Sequence, residues 1–224
     1  MNTALIFLIP ALLGAQLILS LVLTKGEICP GQRGRVHKTL PALLVGWLVV
    51  ALAQPYAFLP LVALGYFTLK VKTGKTRDAG PLNVFYAANV LAFFVWFSLL
   101  PTLTLPVAIL SLASIALFGS LVAHILLTQA RTRLQAFHRL LPFAGFVSAM
   151  VSVLCLLWLA YQLDETQLAL LTNNVVAALV LLVAGLLVWA MHLLTGKTVN
   201  RWQLVVAAGI LVISANMQVA LISF

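Results

Sequence analysis

Between Leu168 and Met191 no side chain can ionise. A run of that length exceeds the roughly 20 apolar residues needed to cross about 30 Å of hydrocarbon. Similar runs fall near residues 3–23, 39–54, 56–70, 83–101, 104–128, 140–163, 168–194 and 203–223. Backbone in hydrocarbon must satisfy its own hydrogen bonds, which leaves helices or closed barrels, and runs this long and continuous select helices. Only 8% of the 224 residues are charged and 63% are hydrophobic, against roughly 25% charged in a soluble domain. The expected fold is all-α: a single transmembrane domain over 1–224, built as a polytopic bundle of about eight helices. The first run has no basic residue before it and reads as a retained transmembrane helix.

The second and third runs are short and flank Gln54-Pro55. They fit one proline-broken helix or two short helices joined by a tight turn. Charge placement selects the second. The thirteen lysines and arginines fall in four clusters: Lys25–Lys38, Lys70–Arg77, Arg131–Arg139 and Lys197–Arg201. With eight helices all four clusters share one face, and the positive-inside rule makes that face cytoplasmic. The expected location is a bacterial inner membrane, both termini outside. The net charge of +9 is then a topology signal, and nucleic acid is not an expected partner.

"HKTLP" (His37–Pro41) opens the second run and "HRLLP" (His138–Pro142) the sixth, and each hairpin returns to a "TGKT", Thr73–Thr76 or Thr195–Thr198. The order matches two parallel four-helix repeats, 1–102 and 104–224. Chance recurrence at equivalent helix ends is the other reading. A phosphate-binding loop also ends in Gly-Lys-Thr, but it begins with a glycine five residues before the second one, after a strand. Those positions hold Leu69 and Met191. Both copies are therefore read as helix stops, with glycine as the left-handed C′ residue, and no nucleotide is expected.

No lysine, arginine or carboxylate lies in the middle of a run, which disfavours proton pumps, retinal proteins and carboxylate-metal hydrolases. His37, His124, His138 and His192 all lie at the basic ends. They fit interfacial residues near lipid phosphate better than a metal site, so no metal and no cofactor is expected. The intramembrane amides are candidates for a ligand pocket: Asn173, Asn174, Asn216 and Gln218, with Tyr161 beside them. Interhelical hydrogen bonding is their alternative role. The candidate lipid-headgroup set is Arg33, Arg35, His37, Lys38, Arg131, Arg133, His138 and Arg139, so anionic lipid headgroups are the expected partners. Five tryptophans and "FFVWF" (Phe93–Phe97) read as interfacial or lipid-facing mass. Ser111, Ser114, Ser148 and Ser152 read as small residues at helix contacts. Cys29 and Cys155 suggest neither a disulfide nor a redox pair.

The eight-helix layout, the hairpin opened by "HKTLP" and the segment "AGLLVWAMH" before a small basic loop resemble the bacterial YhhN family of lysoplasmalogenase-like membrane proteins. The resemblance implies vinyl-ether hydrolysis in a polar intramembrane cavity with acidic residues. Those acids have no counterpart in the runs here, so no catalytic residue is carried over. The expected function is lipid or amphiphile binding. A small transporter of two four-helix halves and a non-catalytic subunit of a larger membrane complex are the alternatives.

Overall fold

The computed structural model describes residues 3–132 and 134–222. Nine α-helices make up the described chain: α1 Leu5–Lys25, α2 Pro30–His37, α3 Leu40–Ala51, α4 Phe58–Lys70, α5 Leu82–Phe97, α6 Leu105–Gln129, α7 Gln135–Tyr161, α8 Glu165–Thr195 and α9 Arg201–Ile222. No strand occurs among the described residues. Among the described residues six helices are long and apolar enough to cross a membrane: α1, α5 with its 3₁₀ extension to Thr102, α6, α7, α8 and α9. The outer surface is rich in Leu, Val and Phe, with Leu52, Leu69 and Leu170 almost fully exposed, as lipid contact requires.

α3 and α4 have 12 and 13 residues. At 1.5 Å per residue neither reaches about 20 Å, so neither alone crosses 30 Å of hydrocarbon. They form a hairpin rather than one broken helix, because the end of α2 leading into α3 meets the end of α4. His37 Nδ1 lies 3.0 Å from the carbonyl of Lys72, and the His37 ring stands edge-on to Phe67. The apolar runs correspond to eight of the nine helices. The ninth, α2, is polar and interrupts the first basic loop.

Neighbour relations repeat between the halves. α1 and α4 each pack against both α3 and α5; α6 and α8 each pack against both α7 and α9. The halves join chiefly where α1 crosses α6. A Cβ on Gly14 would overlap the carbonyl of Ile115, and one on Gly119 would lie 2.5 Å from the Gly14 Cα. Only glycine lets the two backbones come this close.

The basic loops gather at one end and are tied together there. Arg35 donates to the Ala130 carbonyl at 2.8 Å, linking α2 to the end of α6. Arg33 donates to the carbonyl of Arg77, and the Thr76 amide donates to Pro30 at 3.2 Å. Gly34 lies directly beneath Gly74, so the loop presses onto α2. This explains why Gly74 is not the helix stop expected of it. α4 ends at Lys70 with an extended Val71, and Gly74 lies further on, where the loop meets α2. Gly196 does fill the expected role, in left-handed conformation (φ 64°) immediately after α8.

Candidate functional site: a histidine-lined basic cavity

Three helices bring three histidines together at the basic end. His124 is on α6, His138 on α7 and His192 on α8, with the His124 ring 5.1 Å from that of His138 and 5.5 Å from that of His192. Trp189, one turn before His192, completes the group. An indole N–H can only donate, so Trp189 Nε1 at 2.9 Å makes His124 Nδ1 an acceptor. The neutral His124 proton is then on Nε2, which donates to His138 Nδ1 at 2.9 Å. His138 Nε2 is left to donate to the Thr132 carbonyl at 3.3 Å. Gly145 on α7 makes room for the Trp189 ring, since any Cβ there would overlap it.

Pro142 accounts for the fourth contact. Proline lacks the N–H that would bond four residues back, which frees the carbonyl of His138. His192 Nε2 lies 3.2 Å from that carbonyl, and His192 Nδ1 lies 2.9 Å from the carbonyl of Trp189. A neutral imidazole has one N–H and serves one of these oxygens at a time; an imidazolium serves both. The "HRLLP" spacing thus has a local consequence that its sequence alone does not reveal. No group of three or more His, Cys, Asp or Glu side chains among the described residues has metal-holding geometry, and His124 has both ring nitrogens engaged.

Below this group opens a cavity of about 710 Å³ lined by Arg131, Arg139, Lys197, His138, His192 and Thr132, among others. A neighbouring cavity of about 740 Å³ carries Arg201, Lys197, Asn200 and Gln203. Thr128 lines both, and its Oγ1 is buried with no partner. Among the described residues no carboxylate lines either cavity. Four cationic side chains beside threonine hydroxyls are chemistry suited to an anion.

A third cavity, about 510 Å³, is an apolar groove between α1, α6 and α9, lined by Phe7, Ala11, Phe118, Leu121, Val212 and Asn216, among others. Of its α6 residues, Leu121 lies seven residues, about two turns, before Thr128 and so shares its face. Its α9 residues Ala208, Val212, Ala215 and Val219 continue the face that begins at Arg201. The groove and the 740 Å³ cavity therefore both take residues from α6 and α9, and the 710 Å³ cavity adjoins the latter between α6, α7 and α8.

The expected headgroup residues divide. Arg131 and Arg139 line the basic cavity, and Lys38 is exposed. Arg33 and Arg35 donate to backbone carbonyls. His37 is buried; desolvation holds its pKa below the ordinary imidazole value, partly offset by the Lys72 carbonyl. His138 belongs to the histidine chain, and Arg133 lies outside the described residues.

The expected amide pocket does not come together. Asn216 faces the apolar groove, whereas Gln218 is buried and donates to Ser214 at 3.2 Å; Ser214 in turn donates to Ala178 of α8 at 2.7 Å. Residues two apart point to opposite sides of a helix. Tyr161 is 90% exposed, Asn173 is exposed and Asn174 half-buried.

Three tryptophans expected at the interface or facing lipid are instead inside the bundle. Trp47, Trp96 and Trp189 are buried and donate to Gln16, Ser111 and His124; only Trp158 and Trp202 are exposed. Gln16 also donates to Asn89 at 2.9 Å, and Asn89 to Ser20 at 2.7 Å. This buried network ties α1, α3 and α5. A buried indole needs an acceptor, and the acceptors here are on distant segments that no local pattern connects.

Residues 2–220 match a protein family described as an integral membrane domain. A protein of Haemophilus influenzae, described as uncharacterized, is 31% identical over 202 residues, covering 85% of this chain and 74% of the relative. No solved structure matches.

Proposed function

The chain belongs to the integral membrane domain family, and on that premise we propose that it binds an anionic amphiphile. The headgroup occupies the basic cavities and the hydrocarbon chain follows the α6–α9 seam into the apolar groove. The single observation supporting this is the shared seam: Lys197 and Arg201 at one end of it, with Arg131 and Arg139 in the adjoining cavity, and the apolar residues around Phe118 and Val212 further along. An amphiphile needs that order of chemistry along one path. The proposal keeps the resemblance to the YhhN-type lysoplasmalogenase-like proteins as support for an amphiphilic ligand, without a hydrolytic step.

The same reading assigns the basic end to the cytoplasmic side of a bacterial inner membrane, with both termini outside. Cysteines at Gly74 and Gly196 should then label from one side and a cysteine at Asp164 from the other. The repeated neighbour pattern of the halves supports a duplicated four-helix unit. It also favours a second reading, transport, because parallel repeats occur in transporters.

The test is a phospholipid with a photoreactive group in its acyl chain, added to the purified protein in nanodiscs. Labelling should concentrate at Phe118–Val122 and Ala208–Val219. Its retention should weaken as salt screens the headgroup contacts. Even labelling around the bundle, insensitive to salt, would sink the reading.

A further inference from the structure

We propose that the headgroup held at this site carries two phosphoryl groups. This rests on the amphiphile reading and narrows it. Two cavities, about 740 and 710 Å³, share Thr128, Lys197 and Thr198, yet each has cations of its own. Arg201 serves one and the pair Arg131 and Arg139 the other, with Lys197 common to both. Each cavity alone falls within the roughly 300–1,000 Å³ of a small-ligand site. One phosphodiester carries a single negative charge and leaves cations on the far side of the shared wall uncompensated. Two phosphoryl groups place an anion on each side, where guanidinium groups bind phosphate oxygens through paired N–H donors.

Two further features support the assignment. Thr128 lines both cavities and its hydroxyl is buried without a partner, an unsatisfied polar group on the wall that the two anions would share. Arg131 takes the left-handed conformation (φ 50°) directly after α6, where glycine is least strained. A strained cationic residue at a cavity wall fits a functional role.

Native mass spectrometry of the full-length protein tests this with phosphatidylcholine, phosphatidylglycerol, cardiolipin and a polyprenyl diphosphate at equal concentrations. The last two should be retained about tenfold over phosphatidylglycerol, as one extra charge-assisted contact allows. Arg139→Gln and Arg201→Gln, both at exposed positions, should each reduce retention to the phosphatidylglycerol level. Arg139→Lys and Arg201→Lys should keep part of it. Competition by inorganic pyrophosphate but not phosphate supports a diphosphate ligand. Cardiolipin preference without that competition supports two bridged phosphates. Phosphatidylglycerol binding as tightly as cardiolipin and the diphosphate overturns the two-phosphoryl assignment and leaves the amphiphile reading standing. If every anionic lipid binds only as well as phosphatidylcholine, both fail.

Discussion

Gly14 and Gly119 meet backbone to backbone where α1 crosses α6, and each occupies space that a Cβ on the other residue would need. This crossing is the main joint between the two halves of the bundle. Small residues let transmembrane helices approach closely and gain van der Waals contact, the main attraction available to them in lipid.

Gly119→Ala should therefore separate α1 from α6, at a cost of about 1–3 kcal/mol, typical of overpacking. Gly14→Ala should cost a similar amount or more. The double variant should cost less than the sum, because the first substitution already opens the contact. Unfolding in mild detergent, followed by tryptophan fluorescence, measures all three. Exposed Gly209, whose Cβ would meet nothing within 4 Å, is the control.

Trp189→Phe removes the donor to His124 Nδ1 and leaves a buried acceptor unpaired. The expected cost is about 1–2 kcal/mol, with membrane-embedded bonds at the lower end. Nitrogen-15 NMR should also show His124 in the Nε2–H form in the native protein and mixed tautomers in the variant. An Nδ1–H tautomer in the native protein would break the chain of donors.

Arg131 is the C′ residue of a helix-ending motif. Its amide donates to Thr128, and the Thr132 amide donates to Leu127. Glycine favours that position, so Arg131→Gly should hold or raise stability by up to about 1 kcal/mol. The same change should weaken retention of anionic lipid. Loss of stability without loss of lipid would remove Arg131 from the ligand site and make it structural.

Asp164 caps α8, accepting the Gln167 amide and the Thr166 hydroxyl, both at 2.7 Å. The Gln167 contact first, then Thr166, holds its carboxyl below the ordinary value of 3.8. A depressed carboxylate stabilises fully above its unfolded-state value and loses that contribution as pH falls through the folded one. The first turn of α8 should be protected from neutral pH down to about 3.8 and fray at lower pH. Asp164→Asn, which still caps, should remove the pH dependence. Amide exchange at Gln167 and Leu168 measures both.

What the sequence alone determined follows from the solvent. Apolar runs free of charge had to become helices, and their order and approximate ends were legible because lipid imposes backbone self-satisfaction; the number that cross was not, since α3 and α4 are shorter than a span. The clustering of cations at one end was legible for the same reason, since charges are confined to the loops. α2 was not, because "PGQRGRVH" has neither apolar periodicity nor length. It is held by contacts from the loop at Gly74–Arg77, forty residues away in the chain to within a few positions. The histidine group was legible only as four residues near one end; which three would meet depended on how α6, α7 and α8 pack. The burial of Trp47, Trp96 and Trp189 was not legible, because it depends on whether a distant segment supplies the indole with an acceptor. Asn216 and Gln218 share a helix and a depth but not a face, and packing turns the first to the apolar groove and the second inward. Tertiary structure decided the site because helix packing selects faces, and in a chain apolar on nearly every face the sequence gives little indication of which one turns inward.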